Sequence, residues 1–480
     1  VRSIAVDGAH VLAGNGFRVG TVLVEGETIA GVAWSDDERR AMCGRAGEVV
    51  QASGTWLVPG LVDAHTHAYG TLLRGTENAL PLELWAFYTI AYGYGLDDAA
   101  IRAAMLLHDA ECIRSGITGV VDHFPHIDHA AAAIAAHEAS GMRVLFAAFV
   151  QDISDYDLLG IDVPPALREL AAVSPVDTAA YAEFFAGLVA AARAGSGRVT
   201  PALGPNAPQR CSPAIWSLWR TLRDRHAVPV HAHALETQAQ ARIARERWPA
   251  GMIVAMDDAG LLIEGLSLAH AIWTTPAERE RLARTGVAVV HNPLSNLTIG
   301  SGIMPLAAYA AAGVTVGLGT DASNCAGRHD LFETMRLALA LPRIGTPDAT
   351  HWLSAANILR MATTGGMNVL GIPGEAEIAA GRLADLVIVR RDGALNVMFP
   401  DTIEGFVAQA GREAVEGVMV GGRWVLRDGR ILTFDEEAVV RAVIDAHAGI
   451  AERAASVLPG IDAAVPAVAA ALAPWQIGAP

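Results

Sequence analysis

From the first residue to about position 57 the chain alternates apolar and polar positions in short bursts with glycine between them, as in TVLVEGETIAGVAW (21–34). A period of two points one face of a strand at a core and the other at solvent, so this stretch predicts a small antiparallel sheet. The same texture returns in RLADLVIVRRDG (382–393) and VEGVMVGGRWVLRDGR (415–430), where Gly421-Gly422 between two strand-like runs is a hairpin signal. The two distant segments are expected to share one sheet.

Between them the pattern changes to short apolar runs separated by longer helical stretches such as AAIRAAMLLHDAECIRSG (99–116) and TQAQARIARERW (237–248). The runs are WLVPGLVDA, ITGVVD, RVLFAAF, RVTPALG, VPVHA, LSLAH, VAVVH and VTVGLGT. Eight strands, each leading into a helix, predict an α/β fold built on a (β/α)8 TIM barrel. The expected organisation is a β-sandwich part at 1–57, the barrel at 58–378, the second sandwich part at 379–435 and a helical tail at 436–480.

Polar residues terminate these runs. The first ends in Asp63, His65 and His67, the fifth in His231 and His233, the sixth in His270, the seventh in His291 and Asn292, and the eighth in Asp321. Barrel chemistry sits at the carboxyl ends of the strands, so all of these face one mouth. Residues two apart share a strand face, so His65 and His67 reach one ion together, joined by His233 and Asp321 from strands five and eight. A single H-x-H is a weak signal; a nitrogen-and-oxygen set drawn from three strand ends is a strong one.

Imidazole and carboxylate without thiolate suit Zn2+, with Fe2+ as competitor. Glu236 follows His233 by three residues, where strand turns into loop, and can carry a proton beside the metal without binding it. Its bland alternative is an acid in the first turn of a helix, favourable to the helix dipole. His270 is expected to orient the attacking water or polarise the atom attacked, and Asp321 to ligate and accept a proton late.

Composition narrows this further. The chain carries 51 acids against 35 bases, a net charge of −16, which repels nucleic acid and anionic membranes. Every base is arginine. Lysine's absence excludes a P-loop, a Schiff base and a carbamylated-lysine bridge between two ions, leaving a mononuclear site as the expectation. Cys43, Cys112, Cys211 and Cys325 lie far apart and read as free thiols in a reducing, cytoplasmic compartment. The amino-terminal stretch lacks the pattern of a secretory signal. The Ala-rich tail Ile461–Pro474, interrupted by Pro466, reads as a docked helix rather than a membrane span.

VPGLVDAHTH, TLLRG, LPLELW, HAHALET, LAH, HNPLSNLTIGSGIMP, GLGTDAS and LFETMRLAL together resemble the amidohydrolase superfamily. The likeness is to the branch holding S-adenosylhomocysteine and methylthioadenosine deaminases and triazine hydrolases. It implies one metal on His65, His67, His233 and Asp321, acid/base work at Glu236, a ring contact at His270, and a homodimer or homotetramer. It further implies that metal-bound hydroxide displaces an amino group from an aromatic nitrogen heterocycle of purine, pterin, pyrimidine or triazine type. The alternatives are another leaving group, as in dechlorination, N-dealkylation or cyclic amide opening, and a non-catalytic barrel.

Two departures bear on substrate. Asn206, in GPNAPQ, replaces a histidine usual in adenosyl-specific members, and the region AYGYGL lacks the acid that holds a ribose diol. A smaller or differently decorated ring is therefore expected. Trp85, His123, Asn206, Arg210, His291 and Asn292 are the expected substrate contacts, with Tyr92, Tyr94 and His126 as further pocket candidates. The D-H-F-P-H stretch (122–126) reads as substrate-facing or plain loop rather than a second metal site.

Overall fold

The computed structural model describes residues 3–76, 80–163, 168, 172–344, 346–391 and 401–476. In chain order the strands are β1 (Ser3–Ala13), β2 (Gly16–Glu25), β3 (Thr28–Ala33), β4 (Glu48–Gln51), β5 (Thr55–Pro59), β6 (Leu61–Thr66), β7 (Ile117–Phe124), β8 (Arg143–Val150) and β9 (Val199–Pro205). They continue as β10 (Val230–Ala234), β11 (Leu266–His270), β12 (Ala288–His291), β13 (Val316–Leu318), β14 (Leu386–Arg390), β15 (Val415–Val420), β16 (Arg423–Arg427) and β17 (Arg430–Ile431).

Strands from both chain ends form one nine-stranded sheet, ordered β17-β16-β15-β14-β5-β1-β2-β3 with β4 beside β1. The two ends meet where β14 runs antiparallel to β5, Leu386 opposite Pro59. Gly421 and Gly422, with φ of 53° and 69°, make the tight turn between β15 and β16 that their sequence predicts. Two local expectations are corrected. Asp36–Arg45 is a helix with a capping box from Ser35 and Glu38, inside a stretch expected to hold only strands. The run WLVPGLVDA is two strands: β5 belongs to the outer sheet and β6 to the barrel, with the break at Gly60.

The remaining eight strands, β6 to β13, pair in sequence order, all parallel, as a (β/α)8 barrel requires. Its interior is apolar toward the amino-terminal end, with Val62, Ala64, Val121, Leu145, Ala147, Ala202 and Val290 packed as one cluster. That layer is a floor beneath the polar strand ends. The ring closes between β13 and β6, where Thr66 bridges Asp321 and the Asp321 N–H donates to the His65 carbonyl at 2.9 Å.

Lower on the same seam, the turn Met361–Gly365 and the short helix Gly366–Val369 press their backbone against both strands. A Cβ on Gly365 would stand 2.1 Å from the Val316 carbonyl oxygen, and one on Gly366 would stand 2.5 Å from the Val62 Cβ. Only glycine permits this approach.

The carboxyl-terminal helix, Leu458–Gln476, runs through Pro466 rather than stopping there. By length and composition it is apolar enough to cross a membrane, yet its stripe of Ile461, Ala464, Val468 and Leu472 is buried against Leu84, Phe87, Ala239 and Ile243. Tyr88 Oη donates to Asp462 at 2.8 Å and Arg242 donates to the Pro474 carbonyl at 2.7 Å. The tail therefore braces the helix Leu82–Gly93, which forms one wall of the site described below.

Because the Val316 carbonyl belongs to a barrel strand and cannot swing aside, Gly365→Ala is expected to cost about 1–3 kcal/mol. Chemical denaturation measures it; an unchanged midpoint would show that the seam tolerates a side chain.

Candidate metal centre

Each expected ligand stands at the carboxyl end of its strand. His65 lies near the end of β6 and His67 just beyond it, His233 lies on β10, His270 ends β11, and Asp321 follows β13. The pairing of β6 with β7 shifts register between Asp63 and Thr66, a bulge that re-aims the side chains at the rim. Ligating atoms of His65, His67 and His233 lie within 4.8 Å of one another, as do those of His65, His270 and Asp321.

Hydrogen bonds decide which nitrogen of each ring is free. His67 Nδ1 donates to the His123 carbonyl at 2.7 Å, and His233 Nδ1 donates to the Asn206 carbonyl at 2.7 Å. Carbonyls only accept, so the neutral tautomer of both rings leaves Nε2 bare. Those two bare nitrogens face each other at 3.1 Å with the rings nearly parallel. His65 obeys the same logic through a longer chain. The Ser267 hydroxyl donates to the Val230 carbonyl and accepts from His231 Nδ1 at 2.7 Å, so His231 Nε2 accepts from His65 Nδ1 at 2.7 Å. His65 Nε2 is then a third free lone pair, buried and without a hydrogen-bond partner.

Three lone pairs converging at one point repel one another, and a cation is what relieves them. Asp321 supplies the negative charge: Oδ1 lies 3.6 Å from Nε2 of both His65 and His67. Burial opposes its ionisation, but the surrounding imidazoles of His65, His270 and His67 hold its pKa well below the carboxylate range. Burial also pushes His65 down to about 4, which keeps it a neutral ligand at physiological pH.

Glu236 sits in the loop after β10, buried, with Oε1 3.8 Å from His270 Nδ1 and 3.5 Å from the Ser301 hydroxyl. Burial raises its pKa to about 7; His270 opposes that rise and Asp321 adds to it. His270 donates from Nδ1 to the Asn296 side-chain carbonyl at 2.8 Å, which leaves Nε2 directed at Asp321 Oδ2, 3.7 Å away. The rim backbone is strained: Leu235, His270, Ala271 and Asp321 all hold positive φ without being glycine. Such conformations cost on the order of 1–3 kcal/mol each and cluster at functional sites.

A cavity of about 270 Å³ opens over these groups, lined by His67, His233, Glu236, His270 and Asp321 together with Trp85, His123, Asn206 and Arg210. The other expected contacts lie elsewhere. Asn292 and His291 do not line the cavity; Asn292 stands behind His270, its amide nitrogen 3.4 Å from Nδ1, and His291 is buried at the end of β12. His291 ends a barrel strand and Asn292 follows it, but their side chains pack behind the rim. Tyr94 is 65% exposed, Tyr92 packs into the core, and His126 lies edge-on to Tyr69, so these too are outside the cavity lining. Arg210 is ion-paired with Asp155 through Nε at 2.8 Å, so it meets the cavity as half of a pair.

Sequence reasoning missed Ser295, whose hydroxyl donates to Asp321 Oδ2 at 2.6 Å, and Asn296, which fixes His270. Both lie in HNPLSNL, one helical turn beyond the strand end, and that spacing was the available signal. It also missed Glu83. Its carboxyl lines the cavity with Oε1 accepting from Thr237 at 2.6 Å and Oε2 buried and unpartnered. The cavity therefore has a free acid, though not from the AYGYGL region.

The chain has counterparts among known proteins. The 5'-deoxyadenosine deaminase of Methanothermobacter thermautotrophicus is 30% identical over 95% of this chain and 99% of its own length. A 5-methylthioadenosine/S-adenosylhomocysteine deaminase from Thermococcus kodakarensis is 32% identical over 88% of this chain and 93% of its own. Among solved structures, an adenosine deaminase from Xanthomonas campestris with bound zinc superposes with a TM-score of 0.83 at 27% identity, covering 94% of this chain and 99% of that one. A triazine hydrolase from Arthrobacter aurescens, at 23% identity, shares the fold with a TM-score of 0.84 over 93% of this chain and 100% of its own. Residues 56–425 match the amidohydrolase family. This chain belongs to that family.

Proposed function

We propose that the protein is an aminohydrolase that removes an exocyclic amino group from an aromatic nitrogen heterocycle of the adenine type. The observation that carries it is the pairing, in one cavity, of three converging imidazole lone pairs with a buried carboxyl whose pKa is raised to about 7. The relatives named as deaminases support the same reading.

The donor set fits a single divalent ion, probed first as Zn2+: three neutral imidazoles and one carboxylate, with no thiolate among the residues that converge. His65, His67, His233 and Asp321 would hold it. When bound, such an ion supplies Lewis acidity that brings the pKa of water from about 15.7 to about 7.

The protein's own residues handle the protons. Glu236 as carboxylate takes one from the attacking water and returns it to the ring nitrogen beside the carbon under attack. His270, its Nδ1 pinned by Asn296, holds Nε2 over the same point and steadies the incoming oxygen. Asp321, oriented by Ser295, accepts the remaining proton of the water and passes it to the amine, which departs as ammonia. One C–O bond forms and one C–N bond breaks. Trp85 offers a face for the ring, Asn206 both a donor and an acceptor to its edge, and Glu83 a free carboxylate oxygen to a hydroxyl-bearing substituent.

Incubation with a panel of adenine nucleosides, pterins, pyrimidines and triazines should give one ammonia per substrate consumed. Another leaving group would replace the deaminase reading with its hydrolytic alternative. Glu236→Gln is expected to lower kcat by about 10²–10⁴-fold while metal content stays at the wild-type level. Activity within tenfold of wild type would remove Glu236 from the proton path.

The pH profile supplies a third check. A carboxyl raised to about 7 is protonated below that pH and cannot accept a proton, so kcat/KM should fall as pH drops through about 7. A profile flat down to pH about 5 would contradict the assignment, because there the group would be almost wholly protonated.

A further inference from the structure

Behind the strand ends lies a second polar cluster, sealed from solvent and unused by the chemistry above. The helix Asp98–Arg114 contributes His108, Asp109 and Cys112, and the loop after β13 contributes Thr320 and His329. All five are buried.

Tautomers are again fixed from outside. His108 Nδ1 donates to Asp109 Oδ1 at 2.9 Å, which leaves Nε2 bare. His329 Nδ1 lies 2.6 Å from the Thr320 hydroxyl, whose own proton goes to Asp63 Oδ2 at 2.5 Å. The hydroxyl must therefore accept from His329, and His329 Nε2 is also bare, buried and without a partner. Cys112 Sγ stands 3.6 Å from His108 Nε2, and one ligating atom from each of His108, Cys112 and His329 lies within 4.8 Å of the others. With metal–nitrogen and metal–sulfur bonds of about 2.0 and 2.3 Å, a tetrahedral angle puts N and S about 3.5 Å apart.

Each imidazole shows the arrangement that ligating histidines adopt: one nitrogen anchored to a carboxylate, directly or through a hydroxyl, and the other free. Charge also favours a cation. His137 donates to Asp109 at 2.9 Å and to Asp122 at 3.3 Å, one imidazolium between two carboxylates, and Asp63 adds a further acid through Thr320. A dication with one thiolate adds one positive charge to this acidic, dry interior.

We propose that His108, Cys112 and His329 form a second metal site, distinct from the centre at the barrel mouth, that takes a thiophilic transition-metal ion such as Zn2+. When the ion is taken up as the chain folds, the Cys112 thiol releases its proton to water and the thiolate bonds the ion. The site fastens the helix Asp98–Arg114 to the loop that begins at Asp321, and so steadies a ligand of the first centre from behind.

Protein produced with zinc supplementation should hold two metal equivalents per chain by elemental analysis. Cys112→Ser should reduce this to one, and a His67→Ala/His233→Ala variant should also retain one. X-ray absorption on the unmutated protein should show a sulfur scatterer at about 2.3 Å from zinc, an observation that no misfolded variant can obscure. One equivalent or none in the wild type, no sulfur in the absorption spectrum, or a sulfur signal that survives Cys112→Ser and vanishes in Cys325→Ser would overturn the proposal. Sulfur coordination is read without any activity assay and ammonia release without any count of metal, so failure of one proposal is distinguishable from failure of the other.

Discussion

Two imidazole nitrogens that both lack a proton face each other at 3.1 Å, and much of the structure around them serves to keep them so. Backbone carbonyls of His123 and Asn206 hold the opposite nitrogens of His67 and His233 as donors, and neither carbonyl can reverse its role. His65 is set by a relay through His231 and Ser267 that ends on another carbonyl. Without a positive charge between them these groups repel; with one, the same hydrogen bonds become a rigid outer layer that orients the ligands.

The barrel supplies the rigidity. Parallel strands bring their ends to one rim, a floor of small and branched apolar side chains fills the interior below it, and the seam between first and last strands is closed from both ends. At the rim the closure is a backbone bond from Asp321 to His65, two of the groups that converge there. Lower down it is the glycine contact of Gly365 and Gly366, which lets helix backbone lie directly on strand backbone. The left-handed conformation at Asp321 lies at this seam, held by its backbone bond to His65.

Most of the fold was legible in the sequence because it rests on local periodicity. The eight runs from WLVPGLVDA to VTVGLGT each contain a barrel strand, and the alternating texture at both chain ends belongs to one sheet. The helix Asp36–Arg45 was not, since its cap lies in a polar stretch where apolar spacing carries no signal. Pro466 read as a break, but packing of the surrounding stripe against the helix Leu82–Gly93 carries the tail helix through it. The converging histidines and Asp321 were legible because a strand end fixes position. Side-chain direction beyond the strand end was not: His291 ends β12 and Asn292 follows it, yet both pack behind the rim, while Glu83, in LELW, reaches the cavity from a helix with no strand to announce it. The His108–Cys112–His329 cluster was equally hidden, since its members are joined only by tertiary contact.

Whether the three imidazoles and Asp321 enclose a cation is decided by anomalous diffraction from crystals grown with Zn2+, recorded at the zinc edge. A peak is expected about 2.0–2.2 Å from Nε2 of His65, His67 and His233 and from one Asp321 oxygen. Density with no peak there, or with the three rings turned away to bond other protein groups, would contradict it.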